Sequence, residues 1–211
     1  MYENSQKTEI CRKKSLVLFD FDGTLCAIDS YSAFLKSVYP KHHFYRKCLG
    51  LLPEICGYYL GYYPAHLLRP KLSKAFLNGL ELSHLEAKLE NFTTKILQQL
   101  TPVVYQKLLW HRQQGHTIYI VSAGLDLYLS SIAQQLNVNL ICSQIKMTST
   151  LTGAYQSADC SNLEKVRRVK QVLDLSQFNC IYAYGNSDED NEMLAIADHA
   201  WRVKGNSLQV L

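Results

Sequence analysis

The sequence predicts an α/β fold: a parallel sheet with helices on both faces and an all-helical segment inserted after the first strand. Three observations lead there. Residues 15–19 (SLVLF), 117–121, 138–142 and 180–184 are short continuous apolar runs, the pattern of strands buried on both faces. Helical patterns separate the later runs, and alternation of strand and helix implies parallel, doubly wound pairing. Residues 30–100 contain no strand-like run, only Leu and aromatic residues at spacings of three and four.

The first run ends in Asp20, and the helical segment follows. Within it Ser83-His-Leu-Glu86 resembles a capping box that starts a helix running to residue 100. Pro53, Pro64 and Pro70 are expected to break the earlier part into short pieces. Residues 102–114 read as a helix with Pro102 in its first turn and Gly115 as its stop, and further helices are expected at 126–137 and 163–175. A small antiparallel pair is expected at 145–148 and 153–156, around the turn residues 149–152.

With 211 residues, 47% of them hydrophobic, the chain has material for one domain plus a sizeable insertion, which excludes a disordered chain. Lys and Arg exceed Asp and Glu by 22 to 18, and this dispersed charge of +4 argues against nucleic acid as a partner. Arg12, Lys13 and Lys14 read as a solvated leader to the first strand. Seven scattered cysteines without a C-x-x-C pair read as reduced thiols in the cytoplasm. The N-terminal stretch MYENSQKTEICRKK lacks an apolar signal core, and no run reaches about 20 apolar residues, so secretion and membrane spanning are not expected.

In an open parallel sheet the reactive groups gather beyond the carboxyl ends of the strands. The first strand leads into Asp20-Phe21-Asp22-Gly23-Thr24, two carboxylates that leave the strand on the same side, with a glycine for the turn. One can attack phosphorus while the other holds a proton. The second strand leads into Ser122-Ala123-Gly124, a hydroxyl followed by small residues whose N–H groups can receive phosphoryl oxygens at a helix N-terminus. Lys165 supplies positive charge near the start of a helix. The fourth strand leads into Gly185-Asn-Ser-Asp-Glu-Asp190, a loop rich in the hard oxygen donors that Mg²⁺ prefers. Singly, each of these residues is equally at home as a cap, a turn residue or a solvated charge. Their order and spacing along the chain set the combination apart.

These four segments resemble the motifs of the haloacid dehalogenase superfamily, in the subfamily with a helical cap between its first and second motifs, and the match runs over roughly residues 16–203. The resemblance implies a Rossmann-like core of residues 1–29 and 101–211 and a cap of residues 30–100. It implies Asp20 as nucleophile and Asp22 as general acid and then base, with Thr24 bracing the loop. Ser122, Ala123 and Lys165 would receive the phosphoryl oxygens, and Mg²⁺ would be held by Asp20, the carbonyl of Asp22, Asn186 and Asp190. Asn186 departs from the pattern, since the family usually has Asp there, and a neutral amide implies weaker metal binding or a relative that binds phosphate without turnover.

The substrate is less legible. In phosphoserine phosphatases of the subfamily an acid after the first motif binds the amine, and Asp29 falls there, although Asp29 before Ser30 is equally a helix N-cap. The arginine those enzymes use for the carboxylate falls at Ser73 here, with Arg69, Lys71 and Lys74 nearby, which argues against phosphoserine. Residues 44–52 and 56–63 are rich in Leu and Tyr with basic residues at one end, which suits either the interior of a cap or peripheral contact with a membrane. Together with the ending Asp198-His-Ala-Trp-Arg-Val203 they are similar to bacterial phosphatidylglycerophosphatases of the C type. This resemblance implies a lipid-like or bulky phosphomonoester.

Overall fold

A computed structural model describes residues 14–211; Arg12 and Lys13 of the basic leader, Cys11 and the rest of the N-terminal stretch lie outside the described residues. The first strand, β1 (Lys14–Phe19), is followed by five helices, α1 (Ser30–Val38), α2 (Lys41–Leu49), α3 (Leu52–Tyr59), α4 (Ala65–Leu77) and α5 (Glu86–Leu97). Then come α6 (Pro102–Gln113), β2 (Thr117–Leu125), α7 (Asp126–Gln135), β3 (Asn139–Ser143), β4 (Ile145–Met147), β5 (Leu151–Tyr155) and α8 (Leu163–Val172). The chain closes with β6 (Phe178–Gly185), α9 (Asn191–Ala195), β7 (His199–Lys204) and β8 (Ser207–Val210).

Six strands form one sheet in the order β3-β2-β1-β6-β7-β8, parallel except for the last pair. β1 is central because both of its faces are apolar: Val17 and Phe19 join the cluster on one face, Leu16 and Leu18 that on the other. All four are fully buried, and each such side chain contributes about 1.5–3 kcal/mol of transfer free energy. Chain order reverses between β1 and β6, which opens a crevice at their carboxyl ends. α1 lays Tyr31, Phe34, Leu35 and Val38 on the first cluster, a helical face at the expected spacing.

Several local expectations are corrected. Pro70 does not break its segment but sits inside α4, where packing of Leu68, Ser73, Phe76 and Leu77 outweighs the loss of one helical N–H. Ser83 caps nothing: it lies in a 3₁₀ turn, its hydroxyl faces Glu81, and α5 ends at Leu97. α7 and α8 stop at Gln135 and Val172, short of 137 and 175. β2 runs on through Gly124 to Leu125. The antiparallel pair forms with Gly153 in its second strand, but β5 starts at Leu151 and ends at Tyr155, and β4 ends at Met147, so the turn is residues 148–150. Gly153 permits close approach to α4, since a Cβ at residue 153 would stand 2.5 Å from the Ser73 carbonyl. β7 and β8, absent from the sequence reading, complete the sheet.

Candidate active site

Asp20 follows directly on β1, and its N–H donates to the Tyr184 carbonyl of β6 at 2.9 Å, so its backbone is pinned at the crevice. The chain then turns through Gly23, whose φ of +74° lies where a side chain is strained. A Cβ on Gly23 would also meet Asn186 Nδ2 at 2.2 Å. Thr24 Oγ1 lies 2.9 Å from Asp20 Oδ2 and 3.1 Å from Asn186 Oδ1, tying the turn to the loop after β6. Asp22 accepts the Ser30 N–H at 2.7 Å, which links it to the first turn of α1.

Lys165, in the first turn of α8, is fully buried, and its Nζ lies 2.6 Å from Asp20 Oδ1 and 2.5 Å from Asp190 Oδ1. The other oxygen of Asp190 accepts the N–H groups of Asn186 and Ser187, both at 3.0 Å. Asp190, expected near the metal, thus has one oxygen on Lys165 and the other on its own loop.

Asp20, Asp22, Ser122, Ala123 and Lys165 line one cavity of about 370 Å³, together with Asp29 and with Tyr31, Tyr58, Tyr59, Leu68, Arg69 and Leu72 of the inserted helices. Thr24, Asn186 and Asp190 do not line it. Ser122 Oγ accepts the Gly124 N–H at 2.9 Å, so its hydroxyl hydrogen is left to donate, and Gly124 is removed from the expected set of N–H donors. Because β2 continues to Leu125, Ala123 is not at a helix N-terminus. Asp29 does what an N-cap does, accepting the Ser32 N–H at 3.0 Å, and also borders the cavity.

Of the residues named around the position of the family's arginine, it is Arg69 that reaches the cavity. Ser73 is buried against Tyr31, with 2.9 Å between the two hydroxyls, while Arg69, one helical turn earlier, faces the cavity. Arg69 is bound by Glu189 of the last loop and by Asp159, which belongs to none of the motifs. Asp159 has no sequence signal, and Glu189 is one acid among three.

Burial pushes the Asp20 carboxyl up to about 6; Asp190 adds to the rise, and Lys165 and Thr24 oppose it. Burial likewise pushes Asp22 up to about 7, against the hydrogen bonds from Ser30. Burial disfavours the Lys165 ammonium, but Asp20 and Asp190 outweigh it and hold its pKa above the ordinary value.

The donor set fits a hard divalent ion. Asp20 offers a carboxylate, Asn186 an amide oxygen that shares Thr24 with it, and the Asp22 carbonyl accepts no backbone hydrogen bond among the described residues. No cluster of three or more His, Cys, Asp or Glu with metal-binding geometry occurs among the described residues, so beside the Asp20 carboxylate an ion here would rely on neutral oxygens.

The chain has recognisable relatives. It is 31% identical to protein CicA of Caulobacter vibrioides over 198 residues, 90% of this chain and 86% of that protein. A Bordetella pertussis Tohama I protein of unknown function superposes with a TM-score of 0.77 at 23% identity, covering 89% of each chain. A substrate-bound phosphoserine phosphatase superposes at 0.66 with 17% identity, covering 90% of this chain and 85% of that one. The family model described as haloacid dehalogenase-like hydrolase matches residues 17–195, and the chain belongs to that family.

Proposed function

We propose that this hydrolase is a Mg²⁺-dependent phosphatase that moves the phosphoryl group of a phosphomonoester to Asp20 and then to water. One observation carries the reading: the Asp20 carboxylate, held between Lys165 and Thr24, opens into the same cavity as Asp22. An oxygen of Asp20 attacks phosphorus, the bond to the ester oxygen breaks, and Asp22 gives its proton to the departing oxygen. Asp22 then takes a proton from the water that attacks the acyl phosphate, releasing inorganic phosphate and Asp20. A carboxyl raised to about 7 exists in both forms near neutral pH, as an acid that turns base must. Lys165, the Ser122 hydroxyl and the Ala123 N–H receive the phosphoryl oxygens. Asp20, the Asp22 carbonyl and Asn186 would hold Mg²⁺, which when bound neutralises phosphoryl charge.

We take residues 30–100 as the cap that selects the substrate, and a bulky or lipid-like ester as what it selects. Tyr31, Tyr58, Tyr59, Leu68 and Leu72 give the cavity an aromatic and aliphatic wall beside Asp29 and Arg69. α2 and α3 bury none of their residues, and Tyr59 (81% exposed), Leu60 and Tyr62 (86% exposed) stand in water beyond a basic stretch with Arg46 and Lys47. Such a surface suits peripheral contact with a membrane; no helix among the described residues is long and apolar enough to cross one. A phosphoserine-type substrate finds Asp29 and Arg69 in the cavity, but the charge of Arg69 is already matched by Asp159 and Glu189.

A screen of amino-acid, sugar, nucleotide and lipid phosphomonoesters tests both parts. Phosphate release should stop with a chelator and return with Mg²⁺, and bulky apolar esters should exceed phosphoserine in kcat/KM by about tenfold or more. Chelator-insensitive release contradicts the metal, and a preference for phosphoserine contradicts the substrate class.

A further inference from the structure

We propose that Arg69 is a positioning residue that binds Asp159 and Glu189 together, clamping the inserted helices onto the core and fixing the loop of residues 185–190. Three segments distant in sequence meet on this one side chain. Arg69 Nε and Nη2 each lie 2.9 Å from one oxygen of Asp159, a two-pronged contact, and Nη2 also lies 2.8 Å and 3.0 Å from the two oxygens of Glu189. The Arg69 end is itself held, because the Tyr31 hydroxyl donates to the Arg69 carbonyl at 2.6 Å and bonds Ser73 on the next turn.

The two carboxylates differ in kind. The Asp159 side chain is 2% exposed, so without Arg69 it would be a buried, unmatched charge; the Glu189 side chain is 29% exposed and can be neutralised without that penalty. Glu189 leads to the reacting groups. The Glu189 carbonyl accepts the Asn162 N–H at 3.0 Å, just before the helix that carries Lys165, and Glu189 sits in the loop between Asn186 and Asp190. Arg69 also lines the cavity, so the clamp holds the insert over the site. Movement of α4 and movement of the 185–190 loop are thereby one event.

The test compares E189Q, R69M and R69K with the native chain, and it rests on the phosphatase reading only for its kinetic arm. Amide hydrogen exchange, without substrate, should rise about fivefold or more in α4 and in residues 185–195 for R69M, and in residues 185–195 for E189Q, where Asp159 still holds α4. R69K should not restore protection, since an ammonium cannot make the two-pronged contact. In the kinetic arm KM for a small aryl phosphate and the Mg²⁺ needed for half-maximal rate should rise more than kcat falls. Exchange of residues 185–195 within about twofold of native in E189Q overturns the clamp, even if R69M fails to fold, and so does full protection in R69K. A chain without phosphatase activity is still judged by exchange, so failure of the clamp and failure of the reaction are told apart.

Discussion

Asp190 Oδ1 lies 2.5 Å from Lys165 Nζ, so the acid that ends the last motif is bonded to the cation of α8 and holds it against Asp20. D190N removes one of two anionic partners from a fully buried ammonium. The expected loss of stability is about 3 kcal/mol, at the low end for a broken buried pair because Asp20 remains. Denaturant melts measure it, and a midpoint equal to native would mean that Asp190 does not brace Lys165.

Gly23 faces Asn186 at a distance that admits no side chain. G23A places a Cβ in the left-handed region and against the amide, so it should lose roughly 1–2 kcal/mol of stability and displace Asn186. Mg²⁺ titration of the folded variant should show weaker binding. An unchanged titration curve would separate the turn from the metal site.

Asn186 itself is tested by charge. N186D adds a negative charge beside the ion, so Mg²⁺ should saturate at lower concentration, while turnover need not rise because the charge also repels phosphate. N186A should demand more metal for the same rate. If N186A and the native chain share one Mg²⁺ dependence, Asn186 is not a ligand.

Legibility followed burial. The parallel strands were readable because strands buried on both faces leave continuous apolar runs, and the acids because they stand at the ends of those runs. β7, although parallel to β6, and the edge strand β8 are not legible, since both are largely half-exposed or exposed and HAWRVK and SLQV mix polar and apolar residues. The place of Arg69 at the cavity was not legible because residues four apart share a helical face, so spacing alone does not tell Arg69 from Ser73. The engagement of Asp190 with Lys165 was invisible because partners 25 residues apart leave no local pattern.

His111 is fully buried, with Nε2 2.9 Å from the Tyr184 hydroxyl and Nδ1 2.8 Å from His116. Burial pushes it down to about 3, and neighbouring His116 and Lys107 add to the fall. Between pH 6.5 and 3 the unfolded chain therefore binds a proton that the folded chain refuses, so this group's contribution to stability falls as pH falls. From pH 7 to 5 the loss is up to about 2 kcal/mol. The raised carboxyls of Asp20 and Asp22 act in the opposite direction, so the comparison with H111Q, which keeps a partner for Tyr184, isolates the histidine. The native chain should lose stability relative to H111Q over that interval; parallel curves would mean that His111 is protonated in the fold.

The central claim is that Asp20 carries the phosphoryl group, and acid quenching during turnover followed by peptide mass mapping tests it directly. The account predicts one phosphoryl group on the peptide containing Asp20, lost on incubation without substrate and absent from D20N, whose turnover should fall far more than about tenfold. Phosphoryl on another residue, or native turnover in D20N, would contradict it.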